Sequence, residues 1–395
     1  MVAVGWRAGI LCGVVAMTLA ATPAHGQSFA SIDAAVKEGI QKGIYPGAVV
    51  IIGRRDSLLY ARGYGHFTWS PSSPVPQPDS TLWDIASITK VVSTAATALR
   101  LVDQGKLDLE APVRRYLPRF SGGPKNQVTV RMLLDHTSGL KSYVPFYLKA
   151  RGSRARAVDL LYAQPLVRVP GDSAEYSDLN ALFLGMVLEK VSGLPLDQLA
   201  RREVFGPLGM TQTMYRPPAS LKRRIVPSGM WRGHPVPGDV NDQNAVAMGG
   251  VAGHAGVFST GMDLARFAAV WLRSGAGPTE QWVRPATMGR FLVKGPHTGS
   301  RLLGWDTPEI DPTAEEPSVF GSLISDAGYG HTGFTGTELW IDPARDLFLI
   351  FLTNRAFDPR VRESAKQLKF VRANLSDAAV RLVPHGCHQE LVARC

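Results

Sequence analysis

Segments with the composition of β-strands lie at the two ends of this 395-residue chain, and a long helical stretch separates them. Near the N-terminus, residues 47–54 (GAVVIIGR) and 58–64 are short runs rich in β-branched and apolar side chains, with Arg55-Asp56-Ser57 between them as a hairpin turn. Toward the C-terminus, residues 302–305, 338–341 and the fully apolar 347–352 (LFLIFL) read as strands again, and a closing helix follows over about 360–382. Helical spacing marks residues 30–42 before the first strand, 181–191 and 262–272 in the middle, and a long helix over 85–102. No internal repeat or low-complexity linker interrupts this plan. At about 150 residues per domain the length suggests two or three domains. The pattern instead predicts one sheet built from both chain ends with a helical region inserted.

The first 26 residues have the layout of an export signal. Arg7 supplies the positive start, residues 9–21 an apolar core, and Thr22-Pro23 before Ala24-His25-Gly26 a breaker and a small-x-small cleavage site. Such a core is too short for a bilayer, which takes about 20 residues. Cys12 follows Leu11 rather than a small residue, which argues against a lipid anchor. The expectation is a signal peptide over 1–26, cleaved to leave a periplasmic or secreted chain without a membrane span. Cys387 and Cys395 then remain, in a tail that also carries His385 and His388. A disulfide or a loose tail fits these better than a metal site, because the spacing matches no common zinc pattern.

Hydrophobic residues at 45% and charged residues at 19% exclude a disordered chain and a coiled coil. The 43 Lys+Arg against 33 Asp+Glu, a net charge of +10, raise a nucleic-acid or an anionic cell-surface partner. Export and the lack of basic runs interleaved with aromatics count against nucleic acid.

Three short segments carry chemistry. Ser87-Ile88-Thr89-Lys90 opens the helix after a proline-rich loop, so the serine sits near unpaired backbone amides and Lys90 lies on the same face. A serine needs a neighbouring group to take its proton, and a partly desolvated amine can do so. Alone, the pair reads better as a helix N-cap serine and a surface lysine. Tyr176, in PGDSAEYSD before a helix, can relay a proton or simply pack. His331-Thr332-Gly333-Phe334 enters the strand that ends near 341, where Gly333 lets a substrate approach and the amides can face an oxyanion.

In this order the segments resemble the serine β-lactamase and penicillin-binding protein superfamily, most closely its class C-like branch of carboxylesterases and D-amino-acid peptidases. The likeness runs through TLWDIASITKVV, LLDHTSGL, PGDSAEYSDLNALFLG, FGPLGMTQT, GVAGHAGVFSTGMDLARF, HTGFTGTELWIDP and LFLIFLTNR. It implies an α/β (α+β) fold of the β-lactamase/transpeptidase type in one domain, 27–395. Its antiparallel sheet lobe would take about 27–85 plus 300–395 and its helical lobe about 86–299. It also implies that Ser87 is the acyl-forming nucleophile, that Lys90 and Tyr176 share the base work, and that the amides of Ser87 and Phe334 form the oxyanion hole. Gly333 would leave room for substrate and His331 would lie beside its leaving-group side. Which of Lys90 and Tyr176 takes the proton stays open.

Two departures from the pattern matter. Asp178 stands where many β-lactamases have asparagine; a carboxylate only accepts hydrogen bonds and would hold Lys90 charged. His331 stands in the place of a lysine, and an imidazole titrating near ~6.5 is mostly neutral at pH 7. It would anchor a substrate carboxylate poorly, so turnover of carboxylate-bearing substrates should rise as pH falls through its titration. Both changes favour esters or weakly held peptides over efficient β-lactam hydrolysis. His254 in GHAG reads first as a buried histidine bonded to backbone and second as a pocket residue. Asp242 and Asn244 read as loop anchors.

No G-x-S-x-G elbow, H-E-x-x-H helix or phosphate-binding loop is present in the sequence. The expectation is therefore a secreted serine hydrolase acting on a small-molecule ester, a peptide or a β-lactam, with peptidoglycan as the natural polymer. The alternatives are a β-lactamase or a penicillin-binding module that acylates and turns over poorly. The chemistry needs no cofactor and no metal.

Overall fold

The computed structural model describes residues 25–231, 234–310 and 313–383. Most of the expected signal segment, and the tail with His385, Cys387, His388 and Cys395, lie outside the described residues. The strands are β1 (Gly47–Gly53), β2 (Leu58–Gly65), β3 (Trp83–Asp84), β4 (Met214–Tyr215), β5 (Met230–Trp231), β6 (His234–Pro235), β7 (Val257–Ser259), β8 (Tyr329–Thr332), β9 (Glu338–Asp342) and β10 (Leu347–Thr353).

Five of them form the main sheet in the order β2-β1-β10-β9-β8, antiparallel throughout, so the chain ends meet at the β1–β10 pair. Both of these central strands are buried along their whole length. Alternation puts apolar side chains on both faces, and Thr353 at the end of β10 is the one polar residue in the two strands. Val49, Ile51, Phe348, Ile350 and Leu352 point into the larger core, which includes Leu264 and Phe267 of the helix Gly261–Leu272. Ala48, Val50, Ile52, Leu349 and Phe351 point the other way, onto Val36 of the helix His25–Gln41 and Leu375 of the helix Ser364–Val380. Each such aliphatic side chain contributes about 1.5–3 kcal/mol by leaving water, so a layer on each face, rather than one, is what the apolar run requires. No single helix among the described residues is long and apolar enough to cross a membrane.

Three expected elements differ from the observed ones. Residues 302–305 make a turn, closed by the Leu302 amide on the Trp305 carbonyl at 2.9 Å, with Leu302, Leu303 and Trp305 drawn into the core instead of a ladder. The segment from His331 onward is a hairpin of two strands, β8 at the sheet edge and β9, joined by a turn over 333–337. The long helix expected over 85–102 is broken into a 3₁₀ turn Ala86–Ile88, a wide π-type stretch Lys90–Ala95 and a regular helix Ala96–Asp103. The wide stretch is where polar groups turn inward: Thr94 donates to the Gly253 carbonyl at 2.7 Å and Tyr215 to the Ser93 hydroxyl at 2.9 Å. A small sheet unforeseen in the sequence, β3-β7-β4, holds the chain just before Ser87.

Candidate active site

Ser87 follows β3 on a turn in which Ala86 takes a left-handed backbone, φ +46°. The Lys90 ammonium donates to the Ser87 hydroxyl at 3.0 Å and to the backbone carbonyl of His254 at 3.3 Å. Lys90 is only 4% exposed, so its charge has to be balanced within the protein. Asp178 does this at 2.7 Å, and the Tyr176 ring lies against the ammonium with its centroid 4.8 Å away. Burial alone would lower the proton affinity of Lys90, but Asp178 and Tyr176 outweigh it and hold the ammonium above its ordinary value.

The helix Asp178–Ser192 starts under a cap: the Ser177 hydroxyl accepts from the Asn180 amide and donates to the Lys141 carbonyl at 2.6 Å. Asp178 is thereby fixed in the first turn, facing Lys90. His136 is the support beneath Tyr176. It follows the helix Val130–Leu134 and takes a left-handed backbone, φ +64°. Its Nδ1 accepts from the Ser177 amide and from Asn180 Nδ2, each at 3.1 Å, and its ring centroid is 5.0 Å from that of Tyr176. Burial, then Arg301 and Lys90, push the His136 imidazolium well below its usual range, so the ring is neutral and Nε2 carries its proton.

The β8–β9 turn closes the site from the other side. His331 Nδ1 donates to the Thr332 carbonyl at 2.8 Å, which leaves Nε2 as a buried acceptor with no partner among the described residues. Burial, with Lys90 and Arg301 nearby, lowers the proton affinity of His331 to a value of about 3. This corrects the expectation of an ordinary imidazole titration: burial favours the neutral ring near neutral pH, so His331 is no titratable carboxylate anchor there. Turnover of carboxylate-bearing substrates is accordingly expected to show no His331-dependent rise between about pH 7 and about pH 5. A rise that disappears in His331→Gln would overturn this.

Gly333 also has a packing role. A Cβ there would overlap the Thr337 hydroxyl and come within 2.7 Å of the Ile85 carbonyl, so protein packing against the Ser87 turn itself requires glycine. Gly333→Ala should cost about 1–3 kcal/mol, read as a lower thermal midpoint, together with a loss of turnover because the Phe334 amide is displaced. Phe334 itself is 67% exposed at the cleft mouth. Two arginines grip this turn by its carbonyls. Arg355 donates to Phe334 O, and Arg372 Nη2 donates to Gly333 O at 3.3 Å and Thr337 O at 2.8 Å. Arg372 lies 3.9 Å from the buried Glu338, whose carboxyl burial pushes up to about 8.

Ser87, Tyr176, Asp178, His331, Gly333 and Phe334 all line one cleft of about 720 Å³. Lys90 lies beneath its floor. Arg301 lines the cleft too, its guanidinium 5.1 Å from the Tyr176 centroid and 3.2 Å from Asp306. The His254 ring does not reach the cleft. It is buried with Nε2 2.9 Å from Asp242, and the adjacent Gly253 is pressed against Ala181, whose carbonyl a Cβ would overlap. The loop-anchor reading of Asn244 matches its bonds, from the Tyr147 amide at 3.1 Å and to the Val144 carbonyl at 2.9 Å. Asp242 caps the Ala245 amide at 2.7 Å as well as pairing with His254. Asp178, Asp242 and His254 are the one group of three potential metal ligands among the described residues. The Lys90 ammonium already serves Asp178 as its cation, and His254 serves Asp242 as its donor.

The beta-lactamase family model matches residues 32–373. The chain belongs to the beta-lactamase family. An N-acetylmuramyl-L-alanine amidase of Bacillus subtilis (strain 168) is 30% identical over 361 residues, covering 83% of this chain and 81% of the relative. An Escherichia coli (strain K12) protein named "Putative D-alanyl-D-alanine carboxypeptidase" is 28% identical over 354 residues, 80% of each chain. Among solved structures, EstCE1, a hydrolase with promiscuous acyltransferase activity, superposes with a TM-score of 0.70 at 22% identity, over 89% of this chain and 100% of that one. An octameric penicillin-binding protein homologue from Pyrococcus abyssi gives 0.69 at 19% identity, over 91% of this chain and 79% of that one. These two share the fold. As a member of the beta-lactamase family the protein is a hydrolase, and its mixed α/β architecture is that of the family.

Sequence reasoning missed Arg301, His136 and the arginine pair at the β8–β9 turn as parts of this family site. Arg301 sits at the edge of a segment that reads as a strand, Arg355 closes the motif LFLIFLTNR without a role of its own, and Arg372 lies after it. Their position at the cleft depends on tertiary contacts that no local spacing encodes.

Proposed function

We propose that the protein is a secreted serine hydrolase that forms an acyl-enzyme on Ser87 and cleaves ester or D-amino-acid amide bonds, in the manner of a carboxylesterase or a D,D-carboxypeptidase. The observation that carries this reading is the 3.0 Å bond between the Lys90 ammonium and the Ser87 hydroxyl at the floor of an open cleft. Ser87 Oγ bonds to the carbonyl carbon while its proton passes by way of Tyr176 to the leaving oxygen or nitrogen, whose bond to that carbon breaks. Water then releases the acyl group by the reverse route, and Lys90 stays charged beside Ser87 and Tyr176. The amides of Ser87 and Phe334 receive the oxyanion, with Phe334 steadied through its carbonyl by Arg355. Arg301, beside Asp306, adds a permanent positive charge next to Tyr176 that His331 lacks, and it suits a substrate ending in a carboxylate. The names of the relatives point to cell-wall peptides, which an exported enzyme would meet, and the signal-like residues 1–26 support export.

A panel of short-chain p-nitrophenyl esters, a D-Ala-D-Ala peptide and a chromogenic cephalosporin, with mass spectrometry of the quenched enzyme, tests the proposal. Fast ester or peptide turnover with an acyl adduct on the Ser87 peptide is expected. A stable cephalosporin adduct without turnover of any substrate would instead mark a penicillin-binding module, and fast cephalosporin turnover a β-lactamase.

A further inference from the structure

We propose that the buried carboxylate of Asp84 is a positioning residue that holds the Ser87 turn in its raised backbone conformation, so that turnover is lost when this carboxylate takes up a proton. The inference rests on Ser87 as the acylating residue. Asp84 ends β3 three positions before Ser87 and is 3% exposed. One carboxylate oxygen accepts the Ala86 amide at 2.9 Å and the other the Asn241 amide at 2.8 Å. Its own carbonyl accepts the Thr335 hydroxyl at 2.8 Å, and the next carbonyl, of Ile85, accepts the Thr337 hydroxyl at 3.1 Å. Three parts of the cleft therefore meet on residues 84 and 85: the nucleophile turn, the wall at Asn241 and Asp242, and the β8–β9 turn.

Ala86 is what makes the carboxylate matter. At φ +46° it occupies a region that residues with a Cβ enter only when their surroundings enforce it. Its backbone angles set the direction of the Ser87 hydroxyl and amide. The bond from its N–H to an ionised carboxylate is the charge-assisted contact that holds it there. Protonation turns one oxygen into a hydroxyl, a far weaker acceptor for an amide than a carboxylate oxygen, so one of the two straps is weakened.

The groups facing Asp84 are the amides of Ala86 and Asn241, the Thr335 hydroxyl, the backbone of Phe258 in β7, and Asp242. Of these only Asp242 is charged, and His254 keeps it ionised with a value of about 2 despite its own burial. Burial first, and Asp242 second, raise the Asp84 carboxyl from 3.8 to about 6. The folded protein thus takes up this proton more readily than the unfolded chain. Between pH 6 and pH 3.8 this group favours the native state as pH falls, so a loss of turnover there is not unfolding caused by Asp84.

The test is the pH dependence of kcat and KM on a p-nitrophenyl ester for the wild type and Asp84→Asn, with Ser87→Ala in parallel. Asp84→Asn preserves shape but faces one amide with an NH₂ group. The expected result is a wild-type kcat that declines below about pH 6, and a variant whose kcat is about 10²-fold lower at neutral pH with KM little changed and that decline absent. An Asp84→Asn enzyme with wild-type kcat, or with the same acid limb, overturns the proposal. If the variant does not fold, the wild type alone decides: a kcat that stays flat from about pH 7.5 to about pH 5 overturns it. Undiminished turnover by Ser87→Ala overturns the nucleophile and this inference together, whereas an inactive Ser87→Ala beside an unaltered Asp84→Asn overturns this inference alone.

Discussion

Ser87→Ala is expected to lower kcat/KM on esters and peptides by about 10³-fold or more while leaving the fold intact. The substitution removes the hydroxyl to which the Lys90 ammonium donates at 3.0 Å. Thr332 and tyrosine hydroxyls also line the cleft, but Ser87 is the one the proposal makes the nucleophile. Stability should move by less than about 1 kcal/mol, because Ser87 is half-buried and Lys90 keeps both Asp178 and the His254 carbonyl. Circular dichroism and a thermal melt check the fold, and p-nitrophenyl ester turnover with intact-mass spectrometry checks the chemistry. Near-full turnover by the variant would show that another group forms the acyl bond.

The parts of the molecule legible in the sequence were those written in local pattern. The runs at 47–54 and 347–352 could only be satisfied by burial on both faces, and they became the two central strands of the sheet. The replacement of an amide by Asp178 had one clear electrostatic consequence, support for a charged Lys90, and Asp178 lies 2.7 Å from that ammonium. Features set by burial were not legible. His331 reads as an ordinary imidazole until its depth in the site and its position between Lys90 and Arg301 are known. At Gly333 the packing demand from the Ile85 carbonyl could not be read locally. The break in the helix over 85–102 has no Pro or Gly to announce it, since polar contacts from Ser93 and Thr94 to distant residues open the turn.

The second large effect is expected at Lys90, and Asp178 decides how to interpret it. Lys90→Ala should lower kcat by about 10²–10⁴-fold, the usual cost of losing a group that assists proton transfer. That loss alone does not say whether Lys90 acts as a base or as a fixed cation. In the resting site the ammonium donates to Ser87, and an ammonium with no lone pair cannot accept the serine proton. Asp178 is the strongest of the groups that favour the charged form over the effect of burial. Asp178→Asn removes that support, so burial then lowers the proton affinity of Lys90 and the amine becomes neutral at a lower pH. If Lys90 works as a cation beside Tyr176, the alkaline limb of kcat/KM should move to lower pH in Asp178→Asn, with activity lost as the ammonium deprotonates. If the neutral amine is the base, the same variant should become more active near pH 7 and continue to gain as pH rises. The 2.7 Å pair and the buried position of Lys90 favour the first outcome. A gain in activity for Asp178→Asn would transfer the base role from Tyr176 to Lys90.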